Sequence, residues 1–240
     1  MPENYFGEDV AERYDSGAAG MAVEPVVDFL VERAGRGPAL ELGIGTGRIA
    51  LPLSQRGVRV HGIDLSEEMV ARLRAKPGAE EIAVTIGDFA TTKVDGTFTL
   101  AYLVFNTIMN LTTQEAQVAC FRNVADHLEP GGCFVVEVGL PDLQRLPFAE
   151  TVRPFAVTET HLGFDEYDVA DQGLVSHHYN RTDGETFARW SIPFRYVWPS
   201  ELDLMARLAG MRRRERWSGW SGEPFTSTSE KLVGVWEKPV

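Results

Sequence analysis

The amino-acid sequence predicts an α/β fold: a doubly wound, mostly parallel seven-stranded sheet with helices on both faces and an antiparallel, strand-rich insertion. Three observations predict it. From residue 22 to Val138 short apolar runs alternate with segments of helical periodicity, and parallel strands need such crossover helices. The stretch "ALELGIGTGR", residues 39–48, joins an apolar run to a helix through Gly43, Gly45 and Gly47. After Val138 the period changes to two.

The elements follow in order. Residues 22–34, "AVEPVVDFLVERA", set Val23, Val26, Val27, Leu30 and Val31 at helical spacing and stop at "GRGP". "ALELG" is a short buried strand, and residues 46–55 read as a helix with Thr46 as N-cap and Pro52 as a kink. "VRVHGID" is a strand ending at Asp64. "LSEEMVARLRAK" is a helix capped by Ser66, with Glu67 and Glu68 in the first turn, where the dipole favours acids. "IAVTIGD" is a strand ending at Asp88, and "FTLAYLVFN" is another ending near Asn106. "TQEAQVACFRNVADHL" is a helix closed by "EPGG", and "CFVVEV" is the next strand.

In the insertion, "FAVTET" and "GFDEYDVA" read as short strands, while "LVSHHYN" and "TFARWSIPFRYVW", joined by "RTDGE", form a hairpin. Its second arm puts Trp190, Ile192, Phe194 and Tyr196 on one face, with Arg189, Ser191 and Arg195 on the other. "SELDLMARLAG" is a helix with a Ser200 cap, and "MRRRERW" and "KLVGVWEK" are closing strands.

Composition narrows the function. The chain of 240 residues is 44% hydrophobic and 24% charged, enough for one large domain with a full core. A net charge of −12 argues against a nucleic-acid partner, because no basic surface is available to displace counterions. The basic run Arg212–Arg216, interrupted by Glu215, reads as a solvated helix end. Cys120 and Cys133 have no metal-type spacing, so no metal is expected and a reduced cytosol fits. The acidic start "MPENYFGEDVAERYDSG" does not resemble a signal peptide, and no segment approaches the roughly 20 apolar residues of a membrane span. A cytoplasmic protein without a membrane partner is expected.

Ligands of open α/β sheets bind outside the carboxyl ends of the strands, where strand order reverses. Glu41, Asp64, Asp88 and Asn106 all fall at such ends. Glycines let a backbone approach a ligand closely, and an acid at Asp64 suits ribose hydroxyls, so a nucleoside is implied. The loop reads G-x-G-x-G followed by Arg48 and lacks the third glycine of the dinucleotide fingerprint. Glu41 would repel a pyrophosphate but suits an ammonium group, and Asp88 can accept from an exocyclic amine.

Five segments, "LELGIGTGR", "VHGIDLSEEMV", "TIGDF", "LVFNTIMNL" and "HLEPGGCFVVEV", stand in the order and spacing of the class I S-adenosylmethionine-dependent methyltransferases, which the chain resembles over roughly residues 10–140. The resemblance implies a Rossmann-like core holding S-adenosyl-L-methionine. By it, Glu41 and the Gly43, Gly45, Gly47 loop, together with Arg48, hold the methionine end, and Asp64 takes the ribose. Leu65 and Met69 lie beside the adenine, Asp88 takes its amine, Phe89 flanks the ring, and Phe105 and Asn106 line the floor near the sulfonium. "VAERYD" resembles the cap helix of the small-molecule members, in which a tyrosine approaches the cofactor; Tyr14 is the matching position. The motif "[ND]PP[YF]" is absent, which favours a small-molecule acceptor over a base or a protein side chain.

The expected organisation is N-terminal cap helices over 1–35, a core over 36–140 and 198–240, and an insertion over 141–197 that covers the substrate site. The expected reaction is in-line methyl transfer to a small molecule at O or N. A nicotinamide-dependent oxidoreductase and a non-catalytic S-adenosylmethionine-binding module are the alternatives, and a homodimer is left open. Tyr14 and His178 are the candidate catalytic residues; His177 and His178 point to opposite faces, so at most one meets a pocket. Tyr5 belongs to the same lid as Tyr14, His61 and His127 read as structural, and Arg181, Arg189 and Arg195 can receive an acidic group of the acceptor or simply be solvated.

Overall fold

The structure, a computed structural model, describes residues 5–18, 20, 22–183 and 186–240. Helices α1 (Glu8–Ala18) and α2 (Glu24–Ala34) precede β1 (Ala39–Leu42), α3 (Ala50–Gln55), β2 (Val60–Asp64), α4 (Glu67–Arg74), β3 (Ala83–Ile86) and β4 (Phe98–Leu103). Helix α5 (Gln114–His127) leads into β5 (Leu128–Gly139). Strands β6 (Val152–Val157), β7 (His161–Asp168), β8 (Gly173–Asp183) and β9 (Thr186–Arg195) follow, then α6 (Pro199–Leu208), β10 (Arg212–Trp217) and β11 (Lys231–Glu237).

The main sheet has the order β10-β11-β5-β4-β1-β2-β3, with β1 to β5 parallel and the last two strands antiparallel. This is the doubly wound sheet that the sequence predicts, and its order reverses between β1 and β4. Period-2 alternation distributes the strand residues to two cores. Leu40, Leu42, Ala101, Leu103, Phe134 and Val136 pack under α5 and α6, whereas Ala39, Leu100, Tyr102 and Val135 pack under α2 and α3. Phe121 meets Phe134 and Trp236 edge-on at 5.0 and 5.7 Å in the centre of the first core.

Several local expectations are corrected. Helix α3 begins at Ala50, and Thr46 does not cap it, because Gly43, Gly45 and Gly47 all take positive φ and carry the chain through a turn first. Pro52 then falls in the first turn, where its missing N–H removes no hydrogen bond and no kink is required. Pro199, rather than a Ser200 cap, starts α6, and its N-cap is Trp198. "EPGG" bulges from β5: pairing with β4 jumps from Leu128 to Cys133, with Gly131 at φ 83°. Arg212–Arg216 lies in strand β10 on the sheet edge, not at a helix end. Among the described residues no helix is long and apolar enough to cross a membrane.

Strands β6 to β9 form a separate antiparallel sheet in that order. Tyr167 and Leu174 on this sheet, with Tyr196 just beyond it, join the core under α5 and α6. A buried polar junction fixes the attachment. Arg195, 6% exposed, donates to Gln117 Oε1 (2.5 Å), Glu201 Oε1 (2.7 Å) and Gln172 Oε1 (3.2 Å), and Gln117 Nε2 donates back to the Arg195 carbonyl at 3.0 Å. Arg195 is therefore unavailable to an acceptor: β9 runs out against α5 and α6, and burial there is set by the junction rather than by the sheet face.

Burial raises the pKa of Glu201, yet its bonds from Arg195, Gln114 and Gln172 outweigh that and hold it below its ordinary value of 4.5. Its contribution is complete above that value and is lost as pH falls through the lower folded pKa. We predict that Glu201→Gln costs about 3 kcal/mol at pH 7, because Arg195 keeps its charge without a counter-ion. Urea denaturation should show the gap between parent and variant closing below pH 4; a constant gap would mean that the ion pair adds nothing.

Candidate cofactor and active site

One cleft opens at the carboxyl ends of β1, β2 and β4, beside the point where strand order reverses. The glycine turn forms its rim. A Cβ on Gly43 (φ 71°) would lie 2.6 Å from Thr107 Cγ2, so this position is restricted in both space and φ. Gly45 (φ 54°) faces the cleft and donates its N–H to Asp64 Oδ2 at 2.6 Å. Gly47 (φ 76°) does not line the cleft; its Cβ would meet Leu73 Cδ1 of α4 at 2.3 Å. Gly47 thus performs the close helix packing that the fingerprint's third glycine serves elsewhere.

Carboxylates close the successive strands. Asp64, last in β2, accepts from Gly45 and from Ser66 N (2.9 Å), so both oxygens are oriented. Burial raises its pKa against the pull of those N–H groups. Glu41 in β1 is 3% exposed and accepts from Tyr102 Oη at 2.9 Å. Its burial pushes the carboxyl to about 8, only partly opposed by Tyr102 and the Arg48 charge. Asp88, two residues beyond β3, forms an Asx turn through Ala90 N at 2.8 Å, and Asp88 and Phe89 both line the cleft.

Helix α1 covers this floor. Tyr14 points into the cleft, where burial raises its pKa against the influence of Arg48. The helix is latched by Thr46 Oγ1 to Asp15 (2.5 Å), Lys76 to Asp15 (2.7 Å) and Arg72 to Glu12 (3.1 Å). The Ser66 hydroxyl donates to the Phe6 carbonyl at 2.6 Å just ahead of it. Arg48 lies 5.4 Å from the centre of the Phe105 ring.

The structure thus brings Tyr14, Glu41, Gly43, Gly45, Arg48 and Asp64 into one cleft, with Leu65, Met69, Asp88, Phe89 and Phe105. Among the described residues it does not bring Asn106 or His178 to the lining. Asn106 (φ 61°) turns back to accept from Gly139 N at 2.5 Å. His178 lies on β8, stacked on Trp190 at 3.8 Å and bonded to His161 at 3.0 Å. Its burial and the neighbouring imidazoles lower its pKa to about 4, which makes it a weak base.

His127 donates from Nδ1 to the Asn123 carbonyl (2.7 Å) and accepts from Val94 N (3.0 Å), a satisfied structural role. Phe6, Thr107, Asn110 and Leu111 also line the cleft, and sequence reasoning did not single them out. The last three directly follow the "FN" at the end of β4, the one signal that marks them.

The chain is similar to known proteins in sequence and fold. Residues 39–132 match the family described as "Methyltransferase domain". The chain superposes on the CcbJ methyltransferase of Streptomyces caelestis with TM-score 0.89 and 33% identity, covering all of both chains. The cypemycin N-terminal methyltransferase of Streptomyces sp is 28% identical over 209 residues, 83% of this chain and 82% of that one. CalS10, an amino pentose methyltransferase of Micromonospora echinaspora whose structure holds S-adenosylmethionine, shares the fold at TM-score 0.71 and 21% identity, over 99% of this chain and 100% of that one.

Glu41 generates a test on the unliganded chain. Unfolded, it loses its proton near 4.5; folded, near 8. Between these values the folded chain binds the extra proton, so this group makes stability fall as pH rises. Glu41→Gln is expected to stabilise the fold by about 1–3 kcal/mol at pH 8, with the gain vanishing near pH 5. Urea midpoints at the two pH values check it, and a gain that does not change with pH would show that the carboxyl ionises freely.

Proposed function

We propose that this chain, which belongs to the class I S-adenosylmethionine-dependent methyltransferases, methylates a small-molecule acceptor at a neutral amine nitrogen. One observation carries the reading: Glu41, Arg48 and Asp64 converge in a single cleft beneath a glycine turn. Glu41 and Arg48 are opposite charges suited to the ammonium and carboxylate of an amino-acid tail, and among the described residues Arg48 forms no ion pair. Glu41, protonated when alone, ionises once a cation replaces its lost hydration. Asp64, with both oxygens already oriented by N–H groups, has lone pairs left for ribose hydroxyls. Leu65 and Met69 on one side and Phe89 on the other give an apolar slot for the adenine, whose amine Asp88 accepts.

The residues present fit S-adenosyl-L-methionine, which when bound supplies an electrophilic methyl group on a sulfonium leaving group. The chain's own contribution is alignment and exclusion of water. Tyr14, Phe105 and Asn110 line the end of the cleft where the acceptor would enter, and β9 supports the turn 107–110 from behind without itself lining the cleft. Among the described residues no histidine or lysine lines the cleft. With Asp64 and Asp88 given to the ribose and the adenine amine and Glu41 to the ammonium of the tail, a hydroxyl acceptor would lack a free base. An amine that has lost its proton to water needs none, and this favours nitrogen over oxygen. The name of one relative, cypemycin N-terminal methyltransferase, is in keeping with the same choice. The two free cysteines, Cys120 and Cys133, suit a reducing compartment, and we place the reaction in the cytoplasm.

Thermal shift separates this reading from nicotinamide chemistry. S-adenosylhomocysteine should raise the melting temperature while NAD and NADP do not; stabilisation by the nicotinamides alone would reject the proposal. Asp64→Ala should weaken S-adenosylhomocysteine binding about 10- to 100-fold in calorimetry, from the loss of charge-assisted bonds. With S-adenosylmethionine and a panel of primary and secondary amines, Tyr14→Phe should lower methyl transfer more than cofactor affinity. Equal losses would leave its hydroxyl no part in turnover.

A further inference from the structure

We infer that Glu137 is a positioning residue of the cleft: its carboxylate bridges Phe105 to Trp220 and so fixes the segment 105–111 that lines the acceptor end. The inference rests on the methyltransferase reading above. Phe105 (φ 56°) and Asn106 (φ 61°) are consecutive non-glycine residues in the left-handed region. Asparagine tolerates that conformation, but a phenylalanine does not adopt it unless its surroundings impose it.

The end of β5 imposes it. Phe105 N donates to Glu137 Oε2 at 2.8 Å, Asn106 N donates to the Glu137 carbonyl at 3.3 Å, and Gly139 N donates to Asn106 Oδ1 at 2.5 Å. The other carboxylate oxygen, Oε1, accepts from Trp220 Nε1 at 3.0 Å. Trp220 is itself fixed by an edge-on contact with Phe29 of α2, ring centres 5.2 Å apart. A continuous chain of contacts therefore runs from α2 through Trp220 and Glu137 to the strained turn.

The turn's consequence is functional. It holds the Phe105 ring, 42% exposed, at the cleft beside Arg48, and it starts the short helix Thr107–Asn110 that carries Thr107 and Asn110 into the lining. A carboxylate is the required group because two donors approach it and both of its oxygens accept; an amide offers one acceptor and turns its NH2 toward the second donor.

Amide hydrogen exchange of the full chain, read by mass spectrometry, tests the bridge. Glu137→Ala is expected to speed exchange across 103–112 about tenfold and leave β1 and β2 unchanged. It should also weaken S-adenosylhomocysteine binding about fivefold. Glu137→Gln should have an intermediate effect. Trp220→Phe in that background should return exchange toward the parent, because the single amide oxygen is then free for Phe105. Unchanged exchange at 103–112 in Glu137→Ala, a rise spread evenly over the whole sheet, or a double variant no slower than Glu137→Gln would each overturn the bridge. Failure of the parent to bind S-adenosylhomocysteine would instead overturn the methyltransferase reading, and the exchange comparison would still decide the role of Glu137.

Discussion

The burial of one carboxyl group constrains the rest of the cleft. Glu41 is the third residue of a fully buried four-residue strand, and ionising an isolated acid there costs several kcal/mol. The register of the parallel strands manages that position from both sides. On β4 the partner is Tyr102, whose hydroxyl donates to the carboxyl; on β2 it is Gly62, where a Cβ would strike Ile44 at 2.3 Å. A polar side chain survives at the switch point because one neighbour donates to it and the other leaves room for the glycine turn to fold over it. What remains uncompensated is a charge, and on the proposed reading the ligand's ammonium supplies the match.

Two appendages are joined to the core by different physics: α1, which lines the cleft, and the second sheet, which touches the turn 107–110. The second sheet is joined through Arg195, Gln117, Gln172 and Glu201, a buried network in which each polar atom named has a partner and water has little access. Such a junction is rigid because opening it exposes a guanidinium and a carboxylate to unsatisfied burial. Helix α1 is attached through pairs such as Arg72–Glu12, with side chains 45% and 59% exposed, and these are each worth about 1 kcal/mol or less and are screened by salt. Opening α1 therefore costs less than opening the junction of the second sheet, and Tyr14 belongs to the less tightly held element.

The fold was legible because both of its signals are periodic. Strand and helix alternation through Val138 gave the parallel sheet, and the change to period two gave the four antiparallel strands. Boundaries were less legible where glycine conformation decides them: three positive φ values delay α3 by four residues past Thr46, and Gly131 lets "EPGG" bulge from a strand. In the site, Glu41 and Asp64 were legible because they stand at strand ends, whereas Tyr14 on α1, Arg48 and Met69 were legible only through the family resemblance. Asn106 escapes the lining because its amide is used on the backbone of β5, and Gly47 because it serves α4. His178 was singled out by residue type alone, and type does not reveal the stack on Trp190 that occupies it. Thr107, Asn110 and Leu111, although inside the quoted "LVFNTIMNL", were not picked out as lining residues, because the turn that carries them is held by Glu137, 32 residues from Phe105 in sequence.

The charge of the cleft also bears on the choice of acceptor. On the proposed reading, Asp64, Asp88 and the chain's net charge of −12 favour approach of an amine in its ammonium form, with Arg48 the opposing charge in the cleft. An ammonium nitrogen has no lone pair, so the proton must leave before the methyl can be received. Acids alone would oppose that loss by favouring the cation. A sulfonium brought close to the same nitrogen reverses the balance, because two positive charges in a desolvated space repel strongly. On the proposed reading the ammonium would therefore give its proton to water while the cleft is still open. Bound S-adenosylmethionine would then oppose the proton's return, so that no residue need be dedicated to the step. An alcohol gains nothing from this, since its neutral form is already the resting form and its oxygen is a poor nucleophile until a base takes the proton.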